Sequence, residues 1–266
     1  MSNIGSNMEK LKVAIIQSKL IWEDRSKNRS IFEDQILPID SDVDLIILPE
    51  MFSTGFTMNT EVAESMDGET VTWMKKMAAK KTAVLCGSLI ISDSGHIYNR
   101  MLWVNQQGEI EYYDKRHLFS YANEDQHFTP GTSKSIVEYK GWKFLLSICY
   151  DLRFPVSMRY QNDYDAIVLV ANWPNTRAHH WQTLVKARAI ENQSYMLACN
   201  RVGVDDNDLH YQGDSCVIRP DGEIMKTYIN ESGVIIETIS LDYVREYRKK
   251  FAFSHDANAF KILSGR

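Results

Sequence analysis

The sequence predicts a layered α/β domain in which mixed β-sheets bury helices on one face. Short apolar runs typical of buried strands alternate with helix-forming segments towards both ends of the chain, and β-hairpins lie between them. No linker, low-complexity segment or change in composition marks a domain boundary, so we expect one domain over the 266 residues, with its core at residues 9–260. The pattern alone fits one mixed sheet as well as two packed sheets.

The first half of the chain alternates strands with helices and then forms hairpins. Apolar runs predict strands at residues 10–17 and 44–50. Apolar side chains at helical spacing predict helices at residues 23–37 and 69–80. Turn-forming residues separate three further strands, predicted at residues 83–91, 96–104 and 110–115. The stretch 116–131 has no clear period, and a structureless loop of that length is uncommon unless it is functional.

The second half places its strands around one strong helix. Trp181, Val185 and Ala189 lie on one side of a helix predicted over residues 178–192, and a shorter helix is predicted at residues 154–161. Strands are predicted at residues 135–139, 142–149, 166–171, 195–199, 215–219, 223–228 and 234–241. A helix at residues 242–250 and a polar tail close the chain.

The composition is that of a globular protein and argues against several classes of function. Hydrophobic residues make up 44% of the chain and charged residues 24%. A net charge of −5 with no Lys/Arg-rich run argues against a nucleic-acid partner. The longest apolar stretches, such as residues 166–171, are too short to span a bilayer. The N-terminus lacks the pattern of a secretory signal; we expect residues 1–8 to be disordered or not native, and Met8 fits a natural start.

The four cysteines form no C-x-x-C pair, so we expect neither a disulfide framework nor a thiolate zinc site, and a reducing cytoplasm fits this pattern best. Cys86, Cys199 and Cys216 lie inside strand-like apolar runs. We predict that these three are small core side chains.

Cys149 has a different setting, because it ends an apolar strand and is followed by Pro155, a residue tolerated in a first helical turn. A strand, a sharp turn and a helix would lift the thiol out of a rigid sheet and place it beside the N–H groups of a helix start. Such groups favour a thiolate and hold a developing oxyanion. Cys149 is therefore a candidate nucleophile; the alternative is a buried structural cysteine.

Two further polar residues follow strands, Glu50 after the run 46–49 and Lys115 after the run 110–114. In open α/β sheets, ligands collect at the carboxyl ends of strands. Glu50 is a candidate base for the thiol, and Lys115 a candidate cation for a thiolate or oxyanion. Taken singly, each residue is more often a solvated surface charge, and only together with Cys149 do they indicate a site.

Four segments, in this order, resemble the motifs of the nitrilase, or carbon–nitrogen hydrolase, superfamily. They are Leu-Pro-Glu at 48–50, Asp-Lys-Arg-His-Leu-Phe at 114–119, Cys-Tyr-Asp-Leu-Arg-Phe-Pro at 149–155 and Ala-Arg-Ala-Ile-Glu-Asn-Gln at 187–193. The resemblance covers about residues 10–260. It implies that Glu50 is the general base, that Lys115 stabilises the tetrahedral intermediate and that Cys149 forms a thioester. A second glutamate, Glu124, would position the lysine and the substrate.

The same resemblance implies a four-layer α-β-β-α sandwich with two mixed β-sheets flanked by helices. Members commonly pair into homodimers through their helical faces. The resemblance implies neither a metal nor an organic cofactor.

Within the superfamily, the segment 149–155 is most similar to the omega-amidase branch. Members of that branch hydrolyse the terminal amide of 2-oxo dicarboxylic acid monoamides such as 2-oxoglutaramate. Arg153 matches the family's carboxylate-binding arginine, since a guanidinium offers two parallel donors to a carboxylate. The alternative for Arg153 is an ion pair with Asp151 or another neighbouring acidic residue. Thr176 is expected to supply a hydroxyl that assists Arg153 in binding the substrate. The Tyr150 backbone N–H is expected to stabilise the oxyanion together with Lys115.

Two aromatic residues are candidates for the pocket wall. Phe56 stands where some relatives carry tyrosine, which puts a substrate hydrogen bond there in doubt. Trp173 fits a pocket wall and the core equally well.

Other features point to competing sites. His179 and His180 are sequential and point in different directions on a helix, so they cannot share a metal. His117 and His127 accompany Glu124 on the long loop, but no metal-binding motif supports a site there. A Cys–His dyad with His117 is the sharper competitor to the triad.

The expected partner is therefore a small-molecule amide substrate, without nucleic acid or membrane. Competing functions are hydrolysis of N-carbamoyl amino acids or aliphatic amides on the same fold, and a non-catalytic binding module.

Overall fold

In a computed structural model, which describes residues 10–262, two β-sheets pack face to face and helices cover the outer face of each. The predictions made for residues 1–8 lie outside the described residues. The strands are β1 (Lys10–Gln17), β2 (Leu45–Ile47), β3 (Val84–Asp93), β4 (His96–Val104), β5 (Ile110–Asp114), β6 (Ile136–Tyr139), β7 (Trp142–Ile148), β8 (Ala166–Ala171), β9 (Tyr195–Asn200), β10 (Val202–Val204), β11 (His210–Ile218), β12 (Ile224–Ile229) and β13 (Gly233–Ser240). The helices are α1 (Arg25–Ile36), α2 (Glu69–Lys81), α3 (Glu124–His127), α4 (Pro155–Met158), α5 (Ala178–Asn192) and α6 (Leu241–Lys250).

Both sheets are mixed. The first has the strand order β13-β1-β2-β3-β4-β5, with β1, β2 and β3 parallel and the other neighbours antiparallel. The second has the order β10-β11-β9-β8-β7-β6, with β12 also paired to β11, and its β7, β8 and β9 are parallel. Each sheet thus has a parallel centre, whose strands all end at one edge of the sheet.

Successive side chains of a strand point to opposite faces of its sheet, and this explains how each sheet packs against the other sheet on one face and against helices on the other. On β1, Val13 and Ile15 face the second sheet, whereas Ala14 and Ile16 face α1 and α2. On the outer face of the second sheet, Trp181, Val185 and Ala189 of α5 bury the predicted apolar side of that helix. The molecule is therefore an α-β-β-α sandwich, which decides between the one-sheet and two-sheet alternatives and confirms the expected fold.

The hairpin of β3 and β4 is closed by a two-residue turn, Ser94-Gly95, between the paired residues Asp93 and His96. Both turn residues have positive φ, 52° and 80°, as the tightest hairpin turns require. The predicted hairpin is confirmed. Its turn is shorter than predicted because β3 continues to Asp93.

The structure differs from the sequence prediction after the nucleophile turn. The helix predicted over residues 154–161 is only the four residues of α4, preceded by a 3-10 helix at Cys149–Arg153. The chain leaves the helical conformation at Arg159, and the N–H of Tyr160 donates to the side chain of Asn192 instead. A tertiary partner therefore replaces the next helical hydrogen bond.

Two other stretches were predicted incompletely. The strand predicted at residues 215–219 begins at His210, because its first half pairs with β10, a short strand that the sequence did not reveal. The segment 116–131 contains a 3-10 helix at Ser120–Ala122 as well as α3. It is therefore structured, although without any periodic pattern.

The three cysteines predicted as core residues, Cys86, Cys199 and Cys216, are buried, and all four cysteines are free thiols. Burial raises the pKa of the Cys216 thiol to about 12. None of the helices within residues 10–262 is both long and apolar enough to span a lipid bilayer.

Candidate active site

The predicted site residues lie where strands of the two sheets end. Glu50 follows β2 and Lys115 follows β5 in the first sheet, whereas Cys149 follows β7 in the second. Asn172 directly follows β8, the parallel neighbour of β7. The two sheets bring these ends together, so residues far apart in sequence share one site.

Lys115 lies between two buried carboxylates. Its Nζ is 2.8 Å from Oε1 of Glu50 and 2.9 Å from Oε2 of Glu124. The three side chains are almost completely inaccessible to solvent. Burial alone would lower the pKa of Lys115, because it disfavours the charged ammonium. The carboxylates of Glu124 and Glu50 have a larger opposite effect, so the pKa of Lys115 is raised. Burial also raises the pKa of Glu124, while Lys115 opposes that shift. Lys115 is therefore held as a fixed cation.

Two asparagines fix the carboxylates, and the sequence analysis missed both. The Asn99 amide on β4 donates to Oε1 of Glu50 at 2.9 Å and to Oε1 of Glu124 at 3.1 Å. The backbone N–H of Asn172 donates to Oε2 of Glu50 at 2.8 Å, and its side-chain amide donates to the carbonyl oxygen of Glu50 at 2.6 Å. Asn99 stands inside an ordinary strand pattern, whereas the position of Asn172 directly after a buried strand could have indicated its role.

Cys149 sits in the sharp turn that the sequence predicted. Its φ of 44° is in the left-handed region, which costs a residue with a side chain roughly 1–3 kcal/mol. Burial raises the pKa of the thiol, the charge of Glu50 and a hydrogen bond with it raise it further, and Lys115 lowers it. The thiol is therefore mainly protonated at rest and lies beside a carboxylate able to take its proton.

Asp151 connects the cysteine turn to the segment after Lys115. Its Oδ2 accepts from the Tyr113 hydroxyl and from the backbone N–H of Ile148, both at 2.9 Å. Its Oδ1 is 2.7 Å from Nδ1 of His117 and accepts from the His117 N–H at 3.1 Å. Asp151 is thus committed to these groups, and the ion pair considered for Arg153 is not formed.

The geometry also bears on the Cys–His alternative. The His117 ring is held by Asp151 and stacks on Phe154, with 4.0 Å between ring centroids. It is not among the residues that line the cavity beside Cys149, whereas Lys115 is. The charged groups that act on the thiol are Glu50, Lys115 and Glu124. The arrangement favours the triad over the dyad.

A cavity of about 500 Å³ opens over Cys149 and Lys115. Phe56, Tyr150 and Trp173 line it, and Trp173 is also buried in the apolar core that packs around α5, so it serves both of the places considered for it. The other lining residues are Trp22, Thr57, Met58, Asn59, Phe119, Tyr121, Ala122, Arg153, Asn172, Pro174, Arg177, Asp205, Asn207, Leu209 and Tyr211. An aromatic cavity of this size fits a small organic molecule.

Arg153 reaches the cavity, where its guanidinium lies 4.7 Å from the ring centroid of Trp173. Thr176, predicted as a helping hydroxyl, is exposed and lies outside the lining. The structure does not bring it to the site, because on the 3-10 turn Asn175–Arg177 the next side chain, Arg177, enters the cavity instead. Arg177 belongs to none of the motifs that predicted the other site residues.

Across residues 10–262, no group of three or more His, Cys, Asp or Glu side chains is arranged to hold a metal ion. His117 is bound to Asp151, while His180 lies 3.1 Å from an Arg153 nitrogen.

Comparison with protein families identifies the motif pattern. The family model described as carbon-nitrogen hydrolase matches residues 12–249. Omega-amidase YafV of Escherichia coli K12 is 43% identical over 256 residues, which cover 96% of this chain and all of that protein. The 2-oxoglutaramate amidase of Bacillus subtilis is 31% identical over 253 residues, covering 93% of this chain and 97% of that protein.

A solved structure has the same architecture. It is a CN-hydrolase superfamily protein from Xanthomonas campestris with an arsenic adduct in its active site. The two chains are 39% identical and superimpose with a TM-score of 0.93, covering 95% of this chain and 99% of the other.

Proposed function

The chain belongs to the carbon–nitrogen hydrolase family and acts on amides, and we propose that its substrates are 2-oxo dicarboxylic acid monoamides such as 2-oxoglutaramate. The observation that carries this proposal is the buried Glu50–Lys115–Glu124 cluster beside Cys149, at the base of a cavity that also presents Arg153. The names of the omega-amidase and 2-oxoglutaramate amidase relatives support the choice of substrate.

The first half of the reaction forms a thioester. Glu50 takes the thiol proton as the Cys149 sulfur attacks the amide carbon, and the carbonyl oxygen becomes an oxyanion. The Lys115 ammonium and the Tyr150 backbone N–H hold this oxyanion, since the first N–H groups of a helix have no intrahelical partner. Glu50 then returns the proton to the amide nitrogen, the C–N bond breaks, and ammonia leaves.

The second half releases the acid. Glu50 takes a proton from a water molecule that attacks the thioester carbon, and the same two donors hold the second oxyanion. When this intermediate collapses, the C–S bond breaks and the thiolate recovers its proton from Glu50. Glu124 and Asn99 keep Lys115 and Glu50 in place throughout. The proposed mechanism uses no metal and no organic cofactor.

Substrate recognition is assigned to the walls of the cavity. Arg153 has no carboxylate partner within residues 10–262, so its guanidinium is available to the carboxylate of a substrate. Phe56, Tyr150 and Trp173 form the aromatic wall against which the substrate packs.

Ammonia release from 2-oxoglutaramate by the wild type and by Cys149→Ala tests the function. We expect turnover by the wild type and a loss of about 10⁴-fold or more in the variant, because the covalent route requires the sulfur. Equal rates in the two proteins would refute the proposal.

A substrate panel with Arg153→Ala separates the neighbouring functions. A carboxylate-bearing monoamide should lose affinity strongly, whereas a neutral aliphatic amide should be affected little. Faster turnover of N-carbamoyl amino acids or of neutral amides by the wild type would move the enzyme to another branch of the family.

We further propose that the chain is a single-domain cytoplasmic enzyme that forms a homodimer. Exposed apolar side chains of α5 and β12, namely Ile190, Ile224 and Ile229, support a partner on this face of the second sheet. Light scattering at micromolar concentration should give twice the mass of the chain; a monomer mass would contradict the dimer.

A further inference from the structure

Two guanidinium groups border the cavity above Cys149, and only one of them has been assigned a role. Arg153 lies over the ring of Trp173, at 4.7 Å from its centroid. Arg177 lies over the ring of Phe119, at 5.5 Å from its centroid. Both arginines and both rings line the cavity. The cavity is thus bordered by two arginines, each resting on an aromatic wall.

The charges of the cavity wall are not balanced. Within residues 10–262, neither arginine forms an ion pair with a carboxylate. Asp205 is the one carboxylate among the described lining residues, and its oxygens are already in use. Its Oδ1 accepts from the N–H groups of Asn207 and Leu209, and its Oδ2 accepts from the Tyr211 hydroxyl at 2.8 Å. Two cations therefore remain for whatever enters the cavity.

Stacking on a ring leaves a guanidinium able to bind an anion. The ring takes the face of the planar group, whereas the N–H donors point outwards in its plane. One such edge matches the two oxygens of a carboxylate. A second guanidinium can serve their remaining lone pairs or an adjacent carbonyl oxygen, which a 2-oxo acid provides.

We propose that Arg177 and Arg153 together form a clamp for the substrate carboxylate at the end remote from the carboxamide. Arg177 is a specificity-determining residue: it favours amides that carry a carboxylate over neutral amides of the same length. This inference rests on the proposed function, since it concerns the same cavity.

Kinetics of Arg177→Gln with two substrates test the clamp. For a 2-oxo dicarboxylic acid monoamide, KM should rise about 10- to 100-fold while kcat changes less than about threefold, because the lost contact is made equally in the ground and transition states. For a neutral aliphatic amide of similar length, kcat/KM should change less than about twofold. Arg177→Lys should recover part of the loss in KM. Arg219→Gln, which removes an arginine paired with Glu223 outside the cavity, is the matched control and should behave as the wild type.

Unchanged KM for the charged amide in Arg177→Gln, or equal losses for charged and neutral amides, would overturn the clamp. Binding of the dicarboxylate product to Cys149→Ala, with and without Arg177→Gln, makes the test independent of turnover. If the wild type releases no ammonia from any monoamide, the proposed substrate fails, but a tenfold weaker affinity for the dicarboxylate in the Arg177→Gln background still supports the clamp. Equal affinities in the two backgrounds overturn it.

Discussion

At the scale of single residues, the site depends on how charges are placed around one thiol. Cys149 is surrounded by two carboxylates and one ammonium, and burial magnifies each interaction. The charge of Glu50 raises the pKa of the thiol, and in the proposed mechanism the same carboxylate accepts the thiol proton during attack. This arrangement suits a nucleophile that ionises as it attacks.

Replacing Glu50 by glutamine should separate the acidity of the thiol from catalysis. The loss of a negative charge lowers the pKa of Cys149, so the pH profile of alkylation by iodoacetamide should move to lower pH. Hydrolysis should nevertheless fall by about 10²- to 10⁴-fold, because no base remains. The other three cysteines are buried, and a Cys149→Ala background provides the control. An unshifted or upward-shifted profile would contradict the proposed electrostatics.

A single substitution also tests the alternative in which His117 and Cys149 form a catalytic dyad. His117→Asn keeps a side chain able to contact Asp151 and removes the imidazole that a Cys–His dyad would need. We expect kcat/KM for the amide substrate to stay within about fivefold of the wild type, because the proposed mechanism uses Glu50 as the base. A loss of about 10³-fold in a folded variant would favour the dyad instead.

At the scale of elements, strand ends create the site, and this is the part that the sequence predicted best. Glu50 and Cys149 each follow a run of buried apolar residues, and Lys115 follows β5, a strand marked by the turn before it and largely accessible to solvent, so their places at the strand ends could be inferred. Asn99 could not be found this way, because it lies within β4 with nothing in its pattern to distinguish it. Arg177 was missed because its entry into the cavity depends on the direction of one short turn.

The close contact of Gly131 with the end of β5 allows a test of how Lys115 is positioned. The N–H of Gly131 donates to the carbonyl oxygen of Lys115 at 2.9 Å, and a Cβ on Gly131 would lie 2.0 Å from the carbonyl oxygen of Asp114. Gly131→Ala must therefore shift the end of β5, and kcat should fall about 10-fold or more, since small displacements of a catalytic group are costly.

Gly95→Ala is the matched control, because a Cβ there meets nothing within 4 Å. Its positive φ predicts a loss of stability of about 1 kcal/mol with kcat unchanged. Equal kcat for Gly131→Ala and the wild type would show that Lys115 does not depend on this contact.

At the scale of the whole molecule, the sandwich buries the Glu50–Lys115–Glu124 cluster where strands of its two sheets end. Periodicity predicted the strands and helices but could not tell one sheet from two, because alternation describes a single strand and says little about which strands pair. The prediction of two sheets came instead from the resemblance to the carbon–nitrogen hydrolase superfamily. The short strand β10 and the early start of β11 depend on pairing with each other, which no local pattern reveals.

The buried ion cluster should make overall stability depend on Lys115. Lys115→Met leaves Glu50 and Glu124 buried without their cation, so the free energy of unfolding at pH 8 should fall by about 3–5 kcal/mol. Burial already raises the pKa of Glu124, and loss of the lysine raises it further. In the variant, stability is therefore regained as pH falls from 8 to 5 and the Glu124 carboxylate becomes protonated, so the deficit should shrink.

Chemical denaturation of the wild type and Lys115→Met at the two pH values measures this effect, with Cys149→Ala as a control that leaves the ion pairs intact. A deficit that is the same at pH 5 and pH 8 would contradict an electrostatic origin.

Intact-mass spectrometry of the acid-quenched enzyme during turnover of 2-oxoglutaramate tests the central claim most directly. The wild type should carry an adduct equal to the substrate mass less ammonia, located on Cys149 by peptide mapping and absent from Cys149→Ala. An adduct on any other residue, or turnover by Cys149→Ala at the wild-type rate, would contradict the thioester mechanism.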